Sequence, residues 1–366
     1  MNLENLKEIK RDDVEPSIKP NLVIQTAFLG DAVLTIPLLK WFKRKYPDSP
    51  LHFLVRSGYG SFFKDLGLID KFYEFDKANK KESWSSLSNN ILSNNYNLAF
   101  CPHRSFRSQG LLKNITADEK VSYLTNYNKN FLTQNIKHTS NEHEVYRLMR
   151  LAETIDSNLF SDITEAKISN HTLAEGLPMS INSNFKILIE KHKYLPQTSK
   201  EKTIVVSPGS VWPTKKWTRE GFKAICKALV LKGHKVILTG SKADVGSCND
   251  VYFKDDNLIN LSGQQNLTEL LKTLSSAQLL ISNDSGAQHM AAIVGLPTVS
   301  IFGPTRLSLG YRPFNERSVV LQLSQLSCSP CGLHGQKSCP IGTHECMTHI
   351  SADQVLMAAE KLLKIY

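Results

Sequence analysis

The sequence predicts an α/β protein of two domains, each built on an open, mostly parallel sheet. Short runs rich in β-branched residues alternate with longer amphipathic stretches, which is the mark of strand–helix units. The rhythm occurs twice along the chain. At 366 residues the chain also exceeds the roughly 250 to 300 residues that one hydrophobic core usually organises.

In the first half, residues 22–25, 51–55, 72–75, 98–100 and 120–123 read as strands separated by helical segments. In the second half the strands are 203–207, 235–239, 258–261, 278–282 and 298–302, with helices near 218–232, 267–276 and 286–294. Residues 160–202 carry scattered polar residues and two prolines without a clean period, so the domain boundary is expected there. The expected division is a tail over 1–20, a first domain over 21–180, a second over 181–350 and a terminal helix over 351–366. No period of 20 to 50 residues repeats, which argues against a solenoid or propeller.

Composition narrows the function. No stretch approaches the run of about 20 apolar residues that a spanning helix needs. The first twenty residues mix both charges and lack a continuous apolar run, so a cytoplasmic protein is expected. The formal net charge of +10 favours acidic partners: phosphorylated sugars, nucleotides or an anionic membrane surface. Lysines and arginines form no block interleaved with aromatics, and no nucleic-acid module is recognisable, so no nucleic-acid partner is assigned.

Five segments carry candidate chemistry. The run Leu29-Gly30-Asp31 follows the first strand, placing a carboxylate where open α/β sheets hold ligands. Asp31 could serve simply as a helix cap, and Pro37 either kinks the following helix or delays its start to about Ile36. Ser207-Pro208-Gly209-Ser210 leads into Lys215-Lys216-Trp217, a loop ending in two cations that suits a diphosphate, although Lys216 could be solvated and Trp217 packed. Asn283-Asp284-Ser285-Gly286 with His289 one turn later comes off another strand onto a helix N-terminus, whose free N–H groups attract anions. Gly303-Pro304-Thr305 is a further ligand-facing loop or a plain turn. In the first domain, His103, Arg104 and Arg107 could clamp a phosphate or carboxylate, or stand in a solvated loop.

In order and spacing these segments resemble glycosyltransferase family 9, the lipopolysaccharide heptosyltransferases, over about residues 21 to 350. The resemblance implies a GT-B architecture, two Rossmann-like domains facing a cleft, with acceptor bound mainly by the first and ADP-sugar by the second. It implies inverting, metal-independent transfer of heptose from ADP-heptose to the acidic inner core of lipopolysaccharide, with no cofactor required. Asp31 would be the general base, Ser210 and Lys215 would meet the diphosphate, Asp284, Ser285, Gly286 and His289 the phosphates or adenosine, and Asp244 the nucleoside. A monomer at the cytoplasmic face of the inner membrane, with weak peripheral association, is the expected setting. The alternatives are a GT-B transferase using another nucleotide-sugar, a nonenzymatic nucleotide- or metal-binding protein, and an anionic-lipid-binding module. Cys328, Cys331, Cys339 and Cys346 have spacing that could supply four thiolates to a structural metal, with His334, His344 and His349 nearby, though reduced, packed thiols fit a family whose catalysis needs no metal.

Overall fold

The computed structural model describes residues 18–76, 87–140, 142–159, 202–323 and 325–365. Most of the expected tail, and nearly all of the expected boundary segment at 160–202, lie outside the described residues.

Two six-stranded sheets form, each parallel throughout. The first contains β1 (Asn21–Gln25), β2 (Leu51–Arg56), β3 (Lys71–Phe75), β4 (Asn95–Cys101), β5 (Thr116–Tyr123) and β6 (Gln134–Ile136), in the order β3-β2-β1-β4-β5-β6. The second contains β7 (Thr203–Ser207), β8 (Lys235–Leu238), β9 (Leu258–Asn260), β10 (Leu279–Asn283), β11 (Thr298–Phe302) and β12 (Ser318–Gln322), in the order β12-β11-β10-β7-β8-β9. Counted from its own first strand, each sheet has the doubly wound order 3-2-1-4-5-6. The central strands are apolar runs because helices cover both faces: Leu22, Val23 and Ile24 are fully buried, as are Leu279, Leu280 and Ile281.

Two strands were not expected. β6 is three mostly exposed residues at a sheet edge, and β12 follows a loop-rich stretch that masks it.

In both sheets the strand order reverses between the first and fourth strands, and there the loops leaving the carboxyl ends diverge to open a crevice. The segments after β1 and β4, and after β7 and β10, are therefore the ones the fold assigns to ligands. The largest hydrophobic cluster joins the domains: Val33 and Leu34 of the first belong to the same buried set as Met290, Ala291 and Val294 of the second. The terminal helix, Ala352–Ile365, packs Val355, Ala359 and Leu362 into the core of the second domain.

Candidate active site

The chain after β1 forms a short helix, α1 (Leu29–Leu34), and then a second, α2 (Ile36–Lys45). Thr35 separates them, its hydroxyl donating to Asp31 O at 2.8 Å, while Pro37 sits in the first turn of α2, where its missing N–H costs nothing. Asp31 occupies the first turn of α1, and its Oδ2 accepts from Phe28 N–H at 3.2 Å. The capping role and a cavity-facing carboxylate are therefore compatible, since the half-buried Asp31 also lines a cavity of about 120 Å³ between the domains.

Opposite Asp31, the second domain contributes Ser210, Lys215, Asp284, Ser285, Gly286 and His289 to the same cavity. Asn283 organises this wall. Its side-chain amide donates to Pro208 O at 2.8 Å and its oxygen accepts from Trp217 N–H at 2.9 Å, tying both ends of the lysine-bearing loop to β10. Lys215 Nζ lies 2.6 Å from Asp284 Oδ2, which also accepts from Thr305 Oγ1 at 2.7 Å, and Gln288 donates to Asp284 Oδ1 at 3.2 Å. The ammonium is thus aimed into the cavity by a carboxylate behind it. Trp217 is packing, its indole N–H donating to Ile350 O, and Lys216 turns away to Ser247.

Helix Gly286–Ile293 points its N-terminus into the same space. Ser285 Oγ and His289 Nδ1 are buried and find no hydrogen-bond partner in the protein among the described residues. Buried polar atoms are normally paired, so these two have the character of ligand contacts. Burial lowers the His289 imidazole to about 4, with Lys215 adding to the effect and Asp284 opposing it. It is therefore neutral near pH 7 and meets a ligand as a hydrogen-bonding group rather than a cation.

The two walls approach closely because glycines stand at the crossing. A Cβ on Gly30 would lie 2.8 Å from His289 Cδ2, and one on Gly286 would lie 3.0 Å from Leu29 Cδ2.

Tyr311, a cavity residue that the sequence did not single out, is half-buried. The Arg147 guanidinium lies over its ring, 5.4 Å from the centroid, and is paired with Glu144, the Arg147 Nε to Glu144 Oε2 distance being 2.7 Å. Burial raises the Tyr311 phenol, and the negative charges of Glu144 and Asp31 raise it further. It remains a neutral donor beside the Asp31 carboxylate. Trp212 and His334 form another unforeseen wall, with ring centroids 6.4 Å apart and planes 7° from parallel.

Other expected residues lie elsewhere. Asp244 does not line the cavity; its carboxylate caps Ser241 through N–H and Oγ and packs behind Gly209, where a Cβ would come within 2.3 Å of it. His103 is bonded to Thr26 and Ser108, each at 3.0 Å, at the carboxyl edge of the first sheet, while Arg107 lies over the Phe75 ring at 5.0 Å. Arg104 is exposed nearby, its carbonyl accepting from Tyr127. Cys328, Cys331, Cys339 and Cys346 are free thiols, and among the described residues no group of three or more His, Cys, Asp or Glu side chains is placed to hold a metal ion. What the cysteine-bearing segment visibly does is brace the lysine loop: Gln336 N–H donates to Thr214 Oγ1 at 2.7 Å, and His344 Nε2 lies 2.7 Å from Thr214 O.

Two doubly wound domains that meet over a cleft make a GT-B fold. Residues 84–340 match the sequence pattern of glycosyltransferase family 9 (heptosyltransferase), and the chain belongs to that family. It is 25% identical over 348 residues to lipooligosaccharide heptosyltransferase 2 of Campylobacter jejuni, covering 92% of this chain and 96% of that protein. Among solved structures, a family 9 glycosyltransferase of Veillonella parvula superposes with a TM-score of 0.73 at 22% identity, covering 95% of this chain and 98% of the other. The ADP-heptose lipopolysaccharide heptosyltransferase II of Escherichia coli gives 0.69 at 18%, covering 94% and 99%.

Proposed function

We propose that the protein transfers heptose from ADP-heptose to the acidic inner core of lipopolysaccharide, with inversion at the anomeric carbon and without a metal ion. The observation that carries this reading is the single cavity with Asp31 on one wall and Lys215, Ser285, Gly286 and His289 on the other. Asp31 takes the proton of the acceptor hydroxyl as its oxygen attacks the anomeric carbon from the face opposite the diphosphate. The carbon–oxygen bond to phosphate breaks as the new glycosidic bond forms, and ADP departs carrying the electron pair. Negative charge builds on the leaving oxygens, where the Lys215 ammonium and the free N–H groups at the start of helix Gly286–Ile293 are already oriented.

Ser210 and Ser285 supply hydroxyls to the phosphates, Asp284 acts through Lys215, and Asp244 behind Gly209 is left for the nucleoside end. His103, Arg104 and Arg107 are assigned to the phosphates of the acceptor, at the cytoplasmic face of the inner membrane. The relatives named heptosyltransferase support this choice of sugar. Turnover against a panel of ADP- and UDP-sugars with heptose-deficient core glycolipid, followed by NMR of the product's anomeric configuration, tests it. Retained configuration, or preference for another nucleotide-sugar, defeats the reading.

A further inference from the structure

Two aromatic rings meet across the cleft, one from each domain. Phe28 immediately precedes α1, and Trp212 opens the turn that ends at Lys215. Their centroids are 6.5 Å apart and their planes 71° from parallel. His334 adds a third ring, nearly parallel to the Trp212 indole, and all three line the cavity that holds Asp31 and Lys215. Val211 and Leu333 stand in the same lining, 70% and 66% exposed. The reaction as assigned uses none of these side chains, yet exposed apolar groups gathered at a cleft mark a ligand groove.

The rings are placed by the same short turns that place the reacting groups. Phe28 N–H donates to Asp31 Oδ2 at 3.2 Å, and Lys215 N–H donates to Trp212 O at 3.0 Å. The Arg56 guanidinium lies over the Phe28 ring, 5.4 Å from its centroid. Beside Trp212 the chain passes so closely that a Cβ on Gly335 would come within 2.4 Å of Trp212 Cβ. Thr214 N–H donates to Gln336 O at 3.2 Å, so the segments carrying the indole and His334 are tied together. One ring is therefore fixed next to the carboxylate, and another next to the ammonium.

A sugar ring and a nucleobase could each lie on such a surface. A pyranose presents a flat patch of C–H bonds that packs on an aromatic face while its hydroxyls stay at the rim. A base is recognised by hydrogen bonds at its edge, and Val211 and Leu333 bring only hydrocarbon side chains to the rings. Phe28 also lies two residues past Thr26, whose hydroxyl is 3.0 Å from His103 Nδ1, among the groups assigned to the acceptor.

We propose that Phe28 and Trp212 form the platform for the acceptor's terminal sugar, with its C–H face against the indole and its reacting hydroxyl turned to Asp31. Through Trp212 the second domain shares in holding the acceptor, so the acceptor site is complete only where the domains meet. The inference rests on the reading of this cleft as a site of sugar transfer and adds to it the apolar part of the acceptor site.

The test is titration calorimetry of the full chain, with ADP alone and then, on the ADP-saturated protein, with deacylated heptose-deficient core glycolipid. Trp212→Ala and Phe28→Ala should each weaken glycolipid binding by about tenfold, the loss expected of one well-packed aromatic anchor. Trp212→Phe, which keeps a flat ring, should weaken it by less than about threefold. ADP affinity should stay at the wild-type value in all three. Unchanged glycolipid affinity in both alanine variants would overturn the proposal, as would a wild type without affinity for the glycolipid. Loss of ADP affinity alone would put adenine on the rings and overturn it equally. If Trp212→Ala loses both ligands, the lysine loop has shifted, and Phe28→Ala, which is off that loop, decides: loss of glycolipid alone upholds the platform and any other result overturns it. Binding is read without turnover, so a donor panel that fails to show heptose transfer is a separate result from a failure here.

Discussion

Replacing Lys215 by methionine separates what the Lys215–Asp284 pair does for the fold from what it does for the reaction. The ions lie 2.6 Å apart, with the side chains 14% and 6% exposed. Truncation leaves the Asp284 carboxylate facing only two neutral donors, Thr305 Oγ1 and Gln288 Nε2. Stranding a buried charge costs about 3 to 5 kcal/mol, and the remaining donors place this case near the lower end. At about 2 to 4 °C per kcal/mol for a domain of this size, the melting temperature should fall by roughly 6 to 12 °C. The double variant Lys215→Met with Asp284→Asn removes the stranded charge and should recover most of that loss. It should not recover catalysis: both variants should turn over about 10²- to 10³-fold more slowly, the usual effect of deleting one group that stabilises developing negative charge. Calorimetric melting and single-turnover rates measure the two effects separately. An unchanged melting temperature in the single variant, or a double variant no more stable than the single, would refute the electrostatic argument. A near-wild-type rate would show that Lys215 does not face the departing diphosphate.

Asp31→Asn should lower kcat by about 10²- to 10⁴-fold, the range for a lost general base, while ADP affinity by titration calorimetry stays unchanged; weakened ADP binding would place Asp31 on the donor instead. Gly30→Ala puts a methyl 2.8 Å from His289 Cδ2 and should cost about 1 to 3 kcal/mol by urea melting. Gly30→Ala with His289→Ala should cost less than the sum of the single changes, and strict additivity would deny the contact. Four histidines are held neutral, chiefly by burial: His52, His138 and His289 near 4 and His143 near 3. Their unfolded forms titrate near about 6.5, so between about 4 and 6.5 the unfolded chain binds more protons. Stability is then full above about pH 6.5 and falls as pH drops, by up to about 1.4 kcal/mol per pH unit for each histidine. Denaturant melts at pH 7 and pH 5 that coincide would contradict the burial of these rings.

The strands were legible where the sequence is apolar on both faces, as in Leu22–Ile24 and Leu279–Ile281, because a parallel sheet covered by helices admits little else. β6 escaped because its three residues, Gln134, Asn135 and Ile136, form an edge with little to bury. In the site, the legible residues were those immediately following a strand at a switch point: Asp31, Ser210, Asp284 and Ser285. Their position relative to the sheet is a local property, so spacing along the chain reveals it. Tyr311 and His334 face the same cavity but arrive on long loops after β11 and β12, where no local period fixes a direction. Glu144 and Arg147 stand three residues apart on a helix, a spacing that by itself says nothing of a site, and only the folded chain shows the pair buried.

That buried pair explains how the unforeseen residue is held. Arg147 Nη2 donates to Leu309 O at 2.8 Å, Glu144 N–H donates to Gly310 O at 2.9 Å, and His143 Nε2 lies 2.8 Å from Arg312 O. Because Val145 N–H donates to His143 Nδ1, the His143 proton sits on Nε2 and is the one given to Arg312 O. Three groups at the start of helix Glu144–Glu153 in the first domain thus hold a loop of the second. The loop turns at Gly310, whose φ of 86° and a clearance of 2.2 Å between its would-be Cβ and Glu142 O exclude a larger residue. A buried ion pair contributes little net stability, since desolvation offsets much of its attraction. Its value here is directional: the same guanidinium that pairs with Glu144 anchors the Leu309 carbonyl and lies over the Tyr311 ring, so the phenol is positioned by both domains at once. The geometry around Asp31 therefore depends on the domains meeting, and separating them would displace Tyr311 along with the cleft it lines.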